Sequence, residues 1–149
     1  MVRILMVCLG NICRSPLAEG ILKSKTFLKN VQVDSAGTSN YHIGSKPDIR
    51  SIEVAKLFNI DISNQQGRQF KVIDFDNFDS IFVMDNSNYT NVISLARNQE
   101  DIDKVKLILN EIFPNENLDV PDPYSGGVYG FKSVYSMLDQ ACDVIAKKY

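Results

Sequence analysis

The chain has 149 residues, 44% of them hydrophobic and 23% charged, with a formal net charge of −2. That length suits one domain with its own core, and the near-neutral charge argues against a general nucleic-acid or membrane-surface role. No apolar run approaches the ~20 residues that span a bilayer, and three cysteines form no evident disulfide framework.

The chain starts directly in an apolar run and lacks a signal-peptide pattern, so a cytoplasmic, reducing location is expected, with no membrane insertion. No spacing resembles a zinc or calcium site, and His42 is the single histidine, so no metal or other cofactor is expected.

In chain order, the apolar residues 4–7 read as a buried strand, and 17–28 as a helix opening just after Pro16. Residues 31–35 alternate and read as a second strand. A polar loop, 37–46, carries one aromatic, Tyr41. Pro47 and Asp48 open a helix running to Phe58, striped by Ile52, Ala55, Leu57 and Phe58. After a loop at 64–67, the nearly continuous apolar run 80–84 reads as a third strand, buried on both faces of a parallel sheet. A helix at 87–97, a fourth strand at 105–109 and a long loop at 114–127 follow. The closing helix, 131–147, places Val134, Leu138, Ala141, Cys142 and Ile145 on one face. Strands alternating with helices predict an α/β fold: an open four-stranded parallel sheet flanked by helices, Rossmann-like or flavodoxin-like, in three layers. Residues 1–149 read as a single domain.

The stretch Cys8-Leu9-Gly10-Asn11-Ile12-Cys13-Arg14-Ser15-Pro16 stands between the first strand and the first helix. In open α/β sheets ligands sit beyond the C-terminal strand ends. A strand, a tight loop and a helix N-terminus turn backbone N–H groups inward, and the helix dipole and Arg14 add positive charge, which makes an oxyanion site. The same field favours thiolate over thiol at Cys8. The pattern therefore proposes a nucleophile aimed at a phosphate-like group, against the plain alternative of a small core cysteine at a strand end. Arg14 can fork two phosphate oxygens. Gly10 can take loop angles closed to other residues, and Asn11 tolerates left-handed angles and can brace the loop. Ser15 is placed to donate to the thiolate or to cap the helix ahead of Pro16. Asp122, between Pro121 and Pro123 and followed by Tyr124, reads either as a turn aspartate or as an acid on a rigid tip beside an aromatic wall. Asp85 and Ser87 read as caps of the helix after the third strand, and His42 as a solvated loop residue, with a Cys–His pair as the alternative.

The loop Cys-x5-Arg-Ser-Pro at the N-terminus resembles that of the low-molecular-weight protein tyrosine phosphatases. The resemblance continues, in order, through Asp34-Ser35-Ala36-Gly37-Thr38, Met84-Asp85-Asn86-Ser87-Asn88 and Asp122-Pro123-Tyr124. It implies hydrolysis of phosphotyrosine in protein substrates and of small aryl phosphates, through a cysteinyl-phosphate and without a metal. Cys8, Arg14 and Asp122 are its implied catalytic residues, with Asp122 the general acid. Leu9, Gly10, Asn11, Ile12, Cys13 and Ser15 are implied to surround the phosphate, and inorganic phosphate or another oxyanion to occupy the loop. Tyr41 and Tyr124 would line the cleft, and Ser35 would hydrogen-bond Asn11. The resemblance further implies that Cys13 can pair with Cys8 under oxidation, alongside the alternative that it only packs. Ile12 stands where phosphoarginine-directed members tend to carry threonine, and so leans toward phosphotyrosine. The chain departs from the family pattern at Ser125, often a second tyrosine, and at Gln65-Gln66, where many relatives carry a histidine. The rival readings are an arsenate reductase of the same fold, for which only Cys142 remains as a downstream cysteine, and a phosphate-binding module without turnover.

Overall fold

The apolar run that begins the chain is an inner strand of the sheet. In the computed structural model, which describes residues 1–149 except for the side chains of 127–129, four strands are β1 (Val2–Cys8), β2 (Val31–Gly37), β3 (Ser80–Val83) and β4 (Val105–Leu107). All pairings are parallel and the order is β2-β1-β3-β4. Six helices accompany them: α1 (Arg14–Thr26), α2 (Ile49–Leu57), α3 (Asp74–Asn77), α4 (Asn86–Ile93), α5 (Gln99–Lys104) and α6 (Gly127–Ala146). A 3₁₀ turn, Ile108–Glu111, follows β4.

Side chains of β1 point alternately to two cores, which is why its residues 4–7 are apolar without interruption. Ile4 and Met6 meet Leu17 and Ile21 of α1 and Leu138 and Cys142 of α6. Leu5 and Val7 meet Phe75 of α3, Phe78 and Val92 of α4. The sheet is therefore covered on both faces, in three layers as expected.

The chain leaves β1 to build β2 on one side and returns to place β3 on the other. This reversal opens a crevice at the C-terminal end of β1, and Cys8 is the last residue of that strand. Cys8 pairs with Gly37, the last residue of β2. A Cβ at position 37 would stand 2.7 Å from Leu9 O and 3.0 Å from Asn11 N, so the loop after β1 needs glycine beside it.

Several boundaries differ from the sequence reading. Helix α1 begins at Arg14, with Pro16 inside its first turn, where the missing N–H has no intrahelical partner to lose. Helix α4 stops at Ile93, and Arg97 instead forks Asp76 and Asp101. Strand β4 ends at Leu107 because the chain tightens into the 3₁₀ turn. Helix α6 starts at Gly127 rather than at 131. The short helices α3 and α5 escape periodicity, being too brief to show an apolar stripe.

Candidate active site

The loop after β1 passes from a strand whose backbone is fully paired to a helix start without a side-chain cap. Helices α2, α4 and α5 each begin with an Asp or Asn side chain accepting a backbone N–H: Asp48 from Arg50, Asp85 from Asn88, Asn98 from Asp101. At α1 the first-turn N–H groups meet no such acceptor, and they lie at the end of the dipole that attracts negative charge. Ser15 is thus not the cap allowed by the sequence. It lies within α1, and its hydroxyl stands 3.0 Å from Cys8 Sγ.

Asn11 carries the loop's left-handed turn, with φ of 55°, whereas Gly10 does not use a positive φ. The bend is held by every polar atom of the Asn11 side chain. Its Nδ2 donates to Ser15 Oγ at 2.8 Å and to Ser35 Oγ at 3.0 Å, and its Oδ1 accepts from Arg68 N at 3.0 Å. Ser35 in turn donates to Glu19 Oε1 at 2.6 Å. The Asn11–Ser35 contact suggested by the family resemblance is present. Glu19 and Arg68 are additions that the sequence reading missed. The signal for Glu19 was a charge set inside the apolar run of α1. Arg68 carries no local signal, since it acts on Asn11 through its backbone while its side chain spans Asp34 and Asp74.

Arg14 is 2% exposed. Its Nη1 donates to Asp85 Oδ2 at 2.7 Å and to Val120 O at 2.8 Å. Those two bonds use both Nη1 hydrogens and leave the edge formed by Nε and Nη2 for a bidentate anion. Asp85 therefore has two tasks: one oxygen caps α4 and the other aims Arg14. The sequence identified the first, and Ser87 does not share it.

Asp122 approaches from the long loop, with Oδ2 3.9 Å from Arg14 Nη2. Its Oδ1 accepts from Tyr124 N at 3.0 Å, so Oδ2 is the oxygen that faces the cleft. The cleft is lined by Cys8, Leu9, Gly10, Ile12, Cys13, Arg14, Asp122, Tyr41, Tyr124 and His42. Cys8 lies at its base, 2% exposed, while Tyr41 and Tyr124 are exposed walls. His42 corrects the sequence reading: it is half-buried on the cleft wall, against Gly10, rather than a plain solvated residue. Asn11 and Ser15 stand behind the loop rather than in the cleft lining. Cys13 is buried, and burial with Asp48, Cys8 and Asp122 nearby pushes its thiol up to about 12.

A family model described as low molecular weight phosphotyrosine protein phosphatase matches residues 3–148. The chain belongs to that family. The phosphatase is 39% identical over 142 residues to the low molecular weight phosphotyrosine protein phosphatase of Schizosaccharomyces pombe, covering 92% of this chain and 90% of that one. Its fold matches a protein tyrosine phosphatase of Entamoeba histolytica with Hepes in the active site, at a TM-score of 0.92 and 36% identity, covering 99% of this chain and 96% of that one. Wzb of Vibrio vulnificus, in complex with benzylphosphonate, matches at a TM-score of 0.89 and 33% identity, covering 99% of each chain. The phosphatase is a phosphoric monoester hydrolase of the tyrosine-phosphatase class, and the arsenate-reductase reading gains nothing from these likenesses. Cys142 is fully buried where α6 packs on α1, its thiol against Ala18 O and pushed upward by burial, which is no place for a redox relay. Among the described residues, no helix is long and apolar enough to cross a membrane.

Proposed function

We propose that this phosphatase hydrolyses phosphotyrosine in protein substrates by a two-step transfer through Cys8. The observation that carries the assignment is the convergence on one cleft of a nucleophile, a pre-aimed guanidinium edge and a carboxylate oxygen.

In the first step Cys8 Sγ attacks phosphorus in line with the ester oxygen. Arg14 and the loop N–H groups hold the three non-bridging oxygens, whose charge needs fixed donors as the bond to the leaving group lengthens. Asp122 Oδ2 gives its proton to the departing phenol oxygen as that bond breaks. The product is an S-phosphocysteine. In the second step Asp122 takes a proton from water, the water oxygen attacks phosphorus, and the S–P electron pair returns to sulfur. The Ser15 hydroxyl, 3.0 Å away, stabilises the sulfur as it leaves. Tyr41 and Tyr124 form walls suited to an aryl ester, and Ile12 leaves an apolar surface at the mouth.

Release of phosphate from a phosphotyrosine peptide in excess chelator tests the assignment, with wild type beside Cys8→Ser. Turnover in the wild type, none in Cys8→Ser, and retained peptide binding by the variant are expected. Turnover by Cys8→Ser would remove the nucleophile assignment. A wild type that binds phosphate without turnover would make the protein a phosphate-binding module. Phosphoarginine peptide in the same assay is expected to be the poorer substrate.

A further inference from the structure

We propose that Arg50 is a positioning residue of the transfer reaction, tying the phosphate loop to the loop that carries Asp122. This rests on the assignment of Asp122 as the acid.

Arg50 lies in the first turn of α2, two residues after the cap residue Asp48. Its guanidinium is held by that carboxylate as a fork, Nε to Oδ1 at 3.0 Å and Nη2 to Oδ2 at 3.0 Å, while Arg50 N also donates to Oδ1 at 2.9 Å. The Asp48 backbone N–H donates to Ile12 O at 2.7 Å. The plane of Arg50 is therefore registered to the phosphate loop itself. From there the guanidinium reaches two rings. Its Cζ lies 4.5 Å from the ring centre of Phe131, fully buried in α6, and 5.5 Å from that of Tyr124. Tyr124 is otherwise half exposed, and its backbone N–H is the donor that fixes Asp122 Oδ1. One continuous path thus runs from Ile12 O through Asp48, Arg50 and Tyr124 to Asp122.

The path is needed because little else holds the tip of that loop. Val120 is anchored on Met84 O and by Arg14. Beyond it, the hydrogen bonds found among the described residues at 121–126 are local ones, Tyr124 to Asp122 and Gly126 to Pro123 O. The contact that Asp122 itself makes to Arg14, at 3.9 Å, is at the outer limit of an ion pair and competes with bound phosphate. A planar cation suits this task and an ammonium does not. The guanidinium can lie along a carboxylate fork in its plane and present its faces to rings.

The decisive readout is kcat/KM, which reports formation of the phosphoenzyme, on phenyl phosphate and 2,4-dinitrophenyl phosphate. A poor leaving group needs the proton, and an activated one does not. Arg50→Lys and Arg50→Ala are expected to lose about tenfold on phenyl phosphate and less than about twofold on the dinitrophenyl ester. The inhibition constant of inorganic phosphate should stay within about twofold, because the phosphate loop is unaltered. In an Asp122→Asn background, Arg50→Ala should add no further loss on phenyl phosphate. Equal losses on both esters, or additive losses with Asp122→Asn, would overturn the positioning role. If Asp122→Asn discriminates between the esters while the Arg50 variants do not, only the Arg50 proposal fails. If Asp122→Asn is itself indifferent to the leaving group, the acid assignment fails and takes the Arg50 role with it. Arg50→Lys keeps the charge and much of the packing on Phe131, and it carries the test should Arg50→Ala melt below the assay temperature.

Discussion

Asn11 Nδ2 donates to Ser15 Oγ at 2.8 Å, and this bond holds the serine oxygen beside Cys8 Sγ. A hydroxyl that accepts from an amide has its own hydrogen left to give. That hydrogen goes to Cys8 Sγ, 3.0 Å away, when the sulfur is a thiolate, and to Ala36 O at 3.4 Å when the Cys8 thiol is itself the donor. The same amide also donates to Ser35, whose hydrogen then goes to Glu19. Both serines are thereby oriented by a side chain that cannot itself turn over, because Arg68 N holds its oxygen.

Ser15→Ala should accordingly slow return of the sulfur as a leaving group more than it weakens phosphate binding. A loss of kcat of roughly ten- to a hundredfold is expected, in line with removing one donor from a site of developing charge. Rapid-quench measurement of the phosphoenzyme should show it accumulating. A uniform rise in KM with kcat intact would assign Ser15 to packing.

Asp122→Asn should lower kcat/KM for phenyl phosphate by about a hundredfold or more, the usual scale of general-acid catalysis, and much less for activated esters. The plot of log kcat/KM against leaving-group pKa should steepen. An unchanged slope would return Asp122 to the turn aspartate that its Pro-Asp-Pro context also allows.

Gly37→Ala should damage the site without touching any reacting group. The added Cβ would press on Leu9 O and Asn11 N, both backbone atoms of the phosphate loop, which cannot swing away. Overpacking of this kind costs about 1–3 kcal/mol. Thermal melting should fall by several degrees, and phosphate inhibition should weaken in parallel.

Oxidation should depend on pH through Cys13. Its thiol is pushed up to about 12, so at neutral pH it is protonated and a slow partner for a sulfenic acid on Cys8. Closure of a Cys8–Cys13 disulfide after peroxide should therefore quicken by roughly tenfold per pH unit from pH 7 to pH 9. Dimedone capture of Cys8 should decline over the same range, read by mass spectrometry. A closure rate flat with pH would show that Cys13 is not the attacking thiol.

Much of the phosphate end of this site was legible in the chain itself. Cys8, Asn11, Arg14 and Ser15 lie within eight residues, so a strand, a turn and a helix start bring them together whatever else folds. The parallel sheet was equally visible, because a strand buried on both faces has to be apolar at every position, as Ile4 to Val7 and Ile81 to Met84 are. The tertiary structure decided the partners that lie far along the chain. Asp85 reads locally as a helix cap, and only the adjacency of β1 and β3 sets it against Arg14. Asp122 has two local readings, and neither says where its loop lies; the anchoring of Val120 on Met84 O and Arg14 carries that loop to the cleft. His42 looked solvated because nothing near it in sequence covers it; Gly10, brought alongside by the pairing of β1 with β2, does. Local periodicity and turn chemistry act over a few residues, whereas the order of strands in a sheet determines which distant loops share one edge.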